Sequence, residues 1–160
     1  MTRLGHGFDA HRLVEGRRLV LGGITVPNDR GALGHSDADV LAHAISDAVL
    51  GAAALGDLGG HFPDSDPRWK DADSMVLLEA CVARVREAGY HVVNLDATIV
   101  VERPKLAPYI GAMREHLATR MGLPLECVSV KAKTSEGMGY TGDGTGIAAF
   151  AVASLERSAQ

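Results

Sequence analysis

The chain has 160 residues, of which 46% are hydrophobic, and its formal net charge is −4. This length and apolar content suit a single folded domain over residues 1–160 and exclude a chain dominated by disorder. A negative charge with only 4% aromatic residues argues against nucleic-acid binding, which normally uses basic patches and aromatic stacking.

The N-terminal part of the chain is expected to contain a strand at about 2–11, hairpin arms at 18–21 and 24–26, a polar loop at 28–33 and a helix from about 36 to 56. The hairpin turns at Gly22-Gly23. The helix has apolar residues at helical spacing, and Ser36 and Asp37 at its start can cap the first backbone amides.

Beyond this helix we predict a loop at 57–69, a helix at 74–88, a strand at 92–101, a helix at 105–121, a strand at 127–133, a glycine-rich loop at 135–146 and a last strand at 147–155. Gly89 and Gly122 follow the last two helices, as C-terminal capping residues often do. This order indicates an α+β fold, a two-layer sandwich of a mixed sheet with helices packed on one face.

Neither a targeting segment nor a membrane span is expected from the sequence. The N-terminal residues lack the apolar core of a signal peptide, and no apolar run approaches ~20 residues. Cys81 and Cys127 lie in apolar stretches without metal-type spacing, so we expect two buried, reduced thiols. A cytoplasmic protein without a membrane partner follows as the default expectation.

Two short stretches combine into a candidate metal site. Asp9 and His11 lie two apart on a predicted strand and therefore point to the same face, and His43 on the predicted helix could close over that face. Two imidazoles and one carboxylate leave a coordination position open, as in catalytic zinc sites, whereas structural zinc usually has four protein ligands. His6 has the opposite parity, so we expect it to face away.

Weaker signals come from side chains near these ligands. Asp47, one helical turn after His43, could orient that imidazole or could be a solvated carboxylate. Capping explains Ser36 and Asp37, whereas it does not explain His35, which could reach a phosphate at the start of the helix.

Two loops could hold the polar parts of a ligand. The segment 130–142 offers backbone amides and hydroxyls for phosphate oxygens, and Glu136 within it is a candidate Mg²⁺ ligand. The segment 57–64 displays Asp57 and Asp64, whose carboxylates could accept hydrogen bonds from the hydroxyls of a polyol. Each loop taken alone could equally be an ordinary surface turn.

Several motifs occur in a specific order along the chain. They are Gly-His-Gly-Phe-Asp-x-His from Gly5, Gly22-Gly23-Ile24, His-Ser-Asp-x-Asp from His35 with a His four residues beyond, Gly-Asp-Leu-Gly from Gly56 with Phe-Pro-Asp, Pro104-Lys105-Leu106, and Lys-Thr-x-Glu-Gly-x-Gly-Tyr-Thr-Gly from Lys133. Over nearly its whole length, the chain resembles the family of 2-C-methyl-D-erythritol 2,4-cyclodiphosphate synthases.

The resemblance implies an enzyme of the non-mevalonate isoprenoid pathway that cyclises 4-diphosphocytidyl-2-C-methyl-D-erythritol 2-phosphate and releases CMP. It implies a homotrimer with active sites at subunit junctions, zinc on Asp9, His11 and His43, and Mg²⁺ or Mn²⁺ on Glu136. The implied substrate-binding residues are His35, Ser36, Asp57, Gly59 and Asp64 on the erythritol-phosphate side, and Lys105, Ala132, Lys133 and Thr134 for the cytidine diphosphate part, where the neighbouring subunit contributes. Tyr140 is a further implied substrate-binding residue.

The chemistry that the resemblance implies needs positioning rather than a protein nucleophile. The 2-phosphate attacks the β-phosphorus of the same molecule, cations offset the repulsion between the anions, and CMP leaves as a stable anion. Two positions depart from the family pattern. Asp143 stands where many members have an Arg facing the trimer axis, which opposes binding of anionic isoprenoid diphosphates there, and Lys133 replaces the Thr of some members.

Other functions remain open on the residues alone. A zinc-dependent phosphoesterase could use the same ligands with water as the nucleophile and act on a related nucleotide or polyol phosphate. Two His and one carboxylate also suit iron oxygenases, although the phosphate-suited loop disfavours that class. A non-catalytic, zinc-stabilised trimeric binding protein would need a fourth protein ligand, for which the sequence offers no well-placed residue.

Overall fold

In the computed structural model, which describes residues 1–158, a five-stranded sheet packs against helices. The elements in chain order are β1 (Arg3–Glu15), β2 (Leu19–Leu21), β3 (Ile24–Val26), β4 (Arg30–Ala32), α1 (Val40–Ala52), α2 (Leu58–His61), α3 (Ser74–Glu87), β5 (Tyr90–Val100), α4 (Ile110–Met121), β6 (Val128–Lys133), α5 (Gly139–Gly142) and β7 (Gly146–Arg157). Short 3₁₀ turns lie at Pro67–Trp69, Ala107–Tyr109 and Leu125–Cys127.

The main sheet is mixed, with the strand order β4-β1-β7-β5-β6. β5 and β6 run parallel, whereas β1 is antiparallel to both of its neighbours and β7 is antiparallel to β1 and β5. The strands β2 and β3 form the separate hairpin that the Gly22-Gly23 turn predicted. The expected α+β class with a mixed sheet is therefore confirmed.

The core lies between the sheet and the helices, and α1 packs against β1 and β7. Fully buried side chains such as Ile45 on α1 and Ile99 on β5 fill this layer. The opposite face of the sheet is open to solvent and carries both apolar and polar side chains. It exposes Leu4, Phe8, Phe150 and Val152. His6 lies on this open face, where its ring centroid is 6.3 Å from that of Phe150, as its strand parity predicted.

Two glycines in β1 allow α1 to approach the strand closely. A Cβ atom at Gly5 would lie 2.0 Å from the carbonyl oxygen of Ala48, and one at Gly7 would lie 1.8 Å from that of Ala44. Real Cβ atoms essentially never come within 3.0 Å of another heavy atom, so any side chain here would displace the helix. The Gly-x-Gly spacing thus brings the helix that carries His43 against the strand.

Several predicted boundaries were wrong. The polar loop at 28–33 contains β4, a short edge strand that pairs with β1 and has no alternating apolar pattern to indicate it. The first helix begins at Val40 rather than near Ser36, because Ala38 has a left-handed φ of 55° and Asp39 is the residue that caps the helix. It ends at Ala52, four residues before Gly56.

Smaller differences concern the later loops and helices. The predicted loops at 57–69 and 135–146 contain α2 and α5, each a single short turn of helix. The helix predicted from 105 begins at Ile110, after the 3₁₀ turn. Cys81 is buried and free as expected, whereas Cys127 is only half-buried at the end of a surface turn. Across residues 1–158, none of the helices is long and apolar enough to cross a membrane.

Candidate metal and substrate site

The structure brings Asp9, His11 and His43 together into one potential metal-binding group. Asp9 Oδ2 lies 2.9 Å from His11 Nε2 and 3.1 Å from His43 Nδ1. The two ring nitrogens are 3.5 Å apart. One carboxylate oxygen and two imidazole nitrogens therefore converge on one point, as the strand parity and the helix predicted, and a zinc ion prefers such ligands.

The outward-facing ring nitrogens of both histidines have partners. His11 Nδ1 lies 3.0 Å from the carbonyl oxygen of Leu33, which can only accept, so Nε2 of His11 presents a lone pair to the site. His43 Nε2 lies 2.8 Å from the hydroxyl of Ser74 and 3.2 Å from that of Ser36. Partners of this kind orient ligating imidazoles in metal sites.

The charge of Asp9 favours cation binding, whereas a proton competes with a metal ion for His43. Burial by itself raises the pKa of Asp9, but hydrogen bonds with His11 and His43 outweigh it and lower the pKa to about 2. Burial likewise lowers the pKa of His43, but the Asp9 carboxylate outweighs it and raises the pKa above its usual value. Asp9 is therefore an anion at neutral pH, which is the form that binds a metal.

Asp39 holds the start of α1 in place. Its carboxylate is fully buried, and its two oxygens accept hydrogen bonds from the backbone amides of Gly22, Gly23 and Ala42 at 3.0, 2.7 and 3.0 Å. Burial raises the pKa of Asp39 to about 6 in spite of these three donors. The hairpin turn and the helix that carries His43 are thus tied to one carboxylate.

Asp47 neither orients the His43 imidazole nor stands free as a solvated carboxylate. It makes no hydrogen bond with His43; its Oδ1 accepts a hydrogen bond from the backbone amide of Leu58 at 2.7 Å. Burial raises the pKa of this carboxyl group. Asp47 therefore anchors α2 and the loop around it to α1. The partner of the outer ring nitrogen of His43 is the hydroxyl of Ser74 instead.

The metal-binding group lies in a cavity of about 490 Å³. The predicted residues of the erythritol-phosphate side line the same cavity: His35, Ser36, Asp57, Gly59 and Asp64. His35 Nε2 is buried and has no hydrogen-bond partner among residues 1–158, so it is available to a ligand. Asp57 also caps α2, because its Oδ1 accepts a hydrogen bond from the amide of Gly60 at 2.8 Å. Trp69 and Leu77 add apolar surface.

The predicted cytidine-diphosphate residues lie elsewhere in the chain. Lys105 and Thr134 line a second cavity of about 950 Å³ that shares no residue with the first. Tyr140 lines a smaller cavity that borders His11. Ala132 and Lys133 are exposed on β6, as is Glu136 in the following loop, whose Oε1 accepts a hydrogen bond from Thr134 at 3.2 Å. One chain thus assembles the first group of residues but not the second.

No sequence pattern indicates Ser74 or Leu33 as partners of the two histidines. Ser74 is 31 residues from His43 in the chain, and no spacing rule links the two residues. Leu33 contributes a backbone carbonyl, which leaves no mark in the side-chain sequence. Both contacts depend on tertiary packing.

Comparisons with known proteins agree with the motif order. The model of the YgbB family matches residues 2–156. The 2-C-methyl-D-erythritol 2,4-cyclodiphosphate synthase of Laribacter hongkongensis is 60% identical over 158 residues, which cover 99% of this chain and 98% of that protein.

Two solved structures are also similar. A 2C-methyl-D-erythritol-2,4-cyclodiphosphate synthase in its CDP-bound form is 40% identical with a TM-score of 0.89, and the match covers 96% of this chain and 100% of that one. The bifunctional IspDF of Campylobacter jejuni is 39% identical with a TM-score of 0.95, and the match covers 98% of this chain and 42% of that longer one.

Proposed function

The chain belongs to the YgbB family, and from that premise we propose that it is a 2-C-methyl-D-erythritol 2,4-cyclodiphosphate synthase. As such it is a phosphorus–oxygen lyase of isoprenoid biosynthesis. It converts 4-diphosphocytidyl-2-C-methyl-D-erythritol 2-phosphate into the cyclic diphosphate and CMP. The observation that carries the proposal is the open three-ligand group in a cavity whose walls suit a phosphorylated polyol.

The residues fit the metals that this chemistry requires. Asp9, His11 and His43 would hold zinc with one position open, since their ligand atoms all lie within 4.8 Å of one another and the outer ring nitrogens have partners. Glu136 would hold Mg²⁺ or Mn²⁺ together with substrate phosphates. Bound cations would offset the negative charge of the phosphoryl oxygens.

The protein's own residues bind and orient the substrate. The Nε2 atom of His35, which has no hydrogen-bond partner among residues 1–158, and the hydroxyl of Ser36 would face a phosphate group. Asp57 and Asp64, which line the same cavity, would accept hydrogen bonds from the erythritol hydroxyls. Holding the substrate folded back makes the attack intramolecular. An oxygen of the 2-phosphate bonds to the β-phosphorus, the bond from that phosphorus to the CMP oxygen breaks, and CMP leaves with the electron pair. Neither a protein nucleophile nor a water molecule is consumed.

We propose that the active unit is a homotrimer in which each site is shared between neighbouring subunits. Two observations support this assembly. The open sheet face exposes a cluster of large apolar side chains, which monomeric proteins rarely leave uncovered. The proposed cytidine-diphosphate residues, Lys105, Ala132, Lys133 and Thr134, do not line the metal cavity of their own chain. A solution mass of three times the 16.8 kDa chain would support the trimer.

The compartment and the partners follow from the same proposal. Two free cysteines fit a reducing compartment, so we propose a cytoplasmic enzyme. Its partners are the cytidine diphosphate substrate and further copies of its own chain, with no role for nucleic acid or a membrane.

The proposal is tested by incubating the protein with the diphosphocytidyl substrate, zinc and Mg²⁺ and identifying the products by mass spectrometry. We expect equal amounts of CMP and cyclic diphosphate. Asp9→Ala, His11→Ala and His43→Ala should each abolish turnover, whereas His91→Ala, which changes an exposed histidine on β5, should not. Inorganic phosphate or linear methylerythritol phosphates as products would instead support a phosphoesterase.

A further inference from the structure

We propose that Ser74 and Asp37 form a positioning pair that sets the orientation and the tautomer of the metal ligand His43. Neither residue is among the proposed ligands or substrate-binding residues. The inference rests on the proposed metal site, because it concerns how the protein prepares one of the three ligands.

The contact with His43 is short and buried. The Ser74 hydroxyl lies 2.8 Å from His43 Nε2, and Ser74 has no exposed surface. The same hydroxyl donates a short hydrogen bond to Asp37 Oδ1, while the other carboxylate oxygen accepts from the backbone amide of Ser74 at 3.1 Å. Asp37 therefore holds Ser74 at both its hydroxyl and its amide.

The direction of these hydrogen bonds determines the tautomer of His43. A carboxylate can only accept, so the single hydroxyl proton of Ser74 is directed to Asp37. The Ser74 oxygen can then only accept from His43, which must carry a proton on Nε2. A neutral imidazole protonated on Nε2 has its lone pair on Nδ1, the atom that lies 3.1 Å from Asp9 Oδ2. The pair thus directs the ligating lone pair into the site.

Backbone contacts fix the pair relative to α1. The amide of Asp37 donates to the carbonyl of Ala72 at 3.2 Å, and the amide of Asp71 donates to the carbonyl of His35 at 2.9 Å. Asp37 also accepts from the amide of Asp39, the residue that caps α1, at 3.2 Å. Ser74 is therefore held from two sides, by the start of α3 and by the segment before α1.

Ser36 cannot replace this arrangement. Its hydroxyl oxygen lies 3.2 Å from His43 Nε2, farther than that of Ser74, and accepts from the amide of Ala38 at 3.2 Å. It has no carboxylate partner that fixes its proton, so it accepts or donates with equal ease. The contact from Ser74 to Asp37 is the one that imposes a direction.

The chain offers a matched control for the loss of the Ser74 hydroxyl. Ser46 lies on α1 close to His43 and is also fully buried, but its hydroxyl donates to the carbonyl of Ala42 at 2.8 Å and does not contact the imidazole. Ser74→Ala and Ser46→Ala therefore both remove one buried hydroxyl near the same helix. Only Ser74→Ala removes a hydrogen-bond partner of the proposed metal ligand His43.

The test measures zinc affinity of the full-length protein by chelator competition, together with the thermal midpoint of the metal-free form. We expect Ser74→Ala to weaken zinc binding about 10- to 100-fold, the usual effect of removing such a partner. Ser46→Ala should leave zinc affinity within about twofold of the wild type, because its hydroxyl bonds to the Ala42 carbonyl. Long-range ¹H–¹⁵N spectra of histidine-labelled, zinc-loaded wild type should show the His43 proton on Nε2.

A double-variant cycle separates positioning from a general charge effect of Asp37. Asp37→Asn should weaken zinc binding in the wild type but have no further effect in the Ser74→Ala background, because its influence passes through the hydroxyl. Three results would each overturn the positioning pair. They are additive losses of zinc affinity in the double variant, equal zinc affinities of Ser74→Ala and Ser46→Ala, and a His43 proton on Nδ1. A wild type that binds no zinc would overturn the metal site itself, and with it this proposal.

Discussion

Replacing Gly7 by Ala tests whether the close approach of β1 and α1 builds the metal site. The added Cβ atom would lie 1.8 Å from the Ala44 carbonyl oxygen and 2.8 Å from the Ala48 amide nitrogen. Both obstacles are helix backbone, so no side-chain rotation can relieve them. Ala44 directly follows His43, so any displacement of the helix moves this ligand away from Asp9.

The size of the effect follows from these distances. Ordinary van der Waals contact requires about 3.5 Å, so α1 must retreat by roughly 1.7 Å at this point. Overpacking of a well-packed core costs about 1–3 kcal/mol of stability. Because the obstacle at Gly7 is rigid helix backbone, we expect Gly7→Ala to lower the free energy of unfolding by about 3 kcal/mol. For a chain of this length, that corresponds to a fall of roughly 10 °C in the thermal midpoint. Zinc affinity should fall by about tenfold or more, since His43 moves relative to Asp9.

Both quantities are measured at matched protein concentration, by thermal unfolding in chelator and by zinc competition. Gly51→Ala is the control, because a Cβ atom at this exposed helical position meets nothing within 4 Å. It should raise stability by about 0.4–1 kcal/mol and leave zinc affinity unchanged. A Gly7→Ala variant as stable as the wild type, with the same zinc affinity, would refute the reasoning.

Three further predictions concern other parts of the site. Burial raises the pKa of Asp39 in the folded protein from 3.8 to about 6, so the free energy of unfolding should fall by about 3 kcal/mol as the pH rises through that interval. Asp39→Asn should flatten this pH dependence of unfolding, and an unchanged slope would contradict the assignment. Asp47→Ala removes the acceptor of the Leu58 amide and should raise KM about tenfold while zinc affinity stays unchanged. An equal weakening of substrate binding and of zinc binding would argue that Asp47 does not anchor the loop. Phe8→Glu on the open sheet face should reduce the mass in light scattering to one chain and abolish turnover, whereas Val76→Glu on α3 should do neither; an active Phe8→Glu monomer would contradict the shared site.

The three candidate metal ligands could be predicted from the sequence because each depends on a local rule. Strand parity places Asp9 and His11 on one face, and the apolar pattern of α1 orients the helix that carries His43. The glycines of β1 explain why the strand and α1 meet at close range. Their role could not be predicted from the sequence, because it depends on how the helix packs against the strand.

The parts that the sequence did not reveal depend on tertiary packing. Asp47 is on the same helix face as His43, but the loop that folds over this face offers it the Leu58 amide instead. Ser74 reaches His43 from another helix, and no spacing rule joins residues so far apart. The start of α1 was misplaced because Ser36 and Asp37 cap the turn before the helix, while the left-handed Ala38 separates them from it.

We propose that an oxygen of the substrate's own phosphate, and not water, attacks the β-phosphorus in the cavity around Asp9, His11 and His43. Turnover in water enriched in ¹⁸O tests this directly, with both products analysed by mass spectrometry. We predict that neither CMP nor the cyclic diphosphate gains a heavy oxygen. One ¹⁸O atom in a phosphate-containing product formed during turnover would show that water is the nucleophile and would contradict the proposed cyclisation.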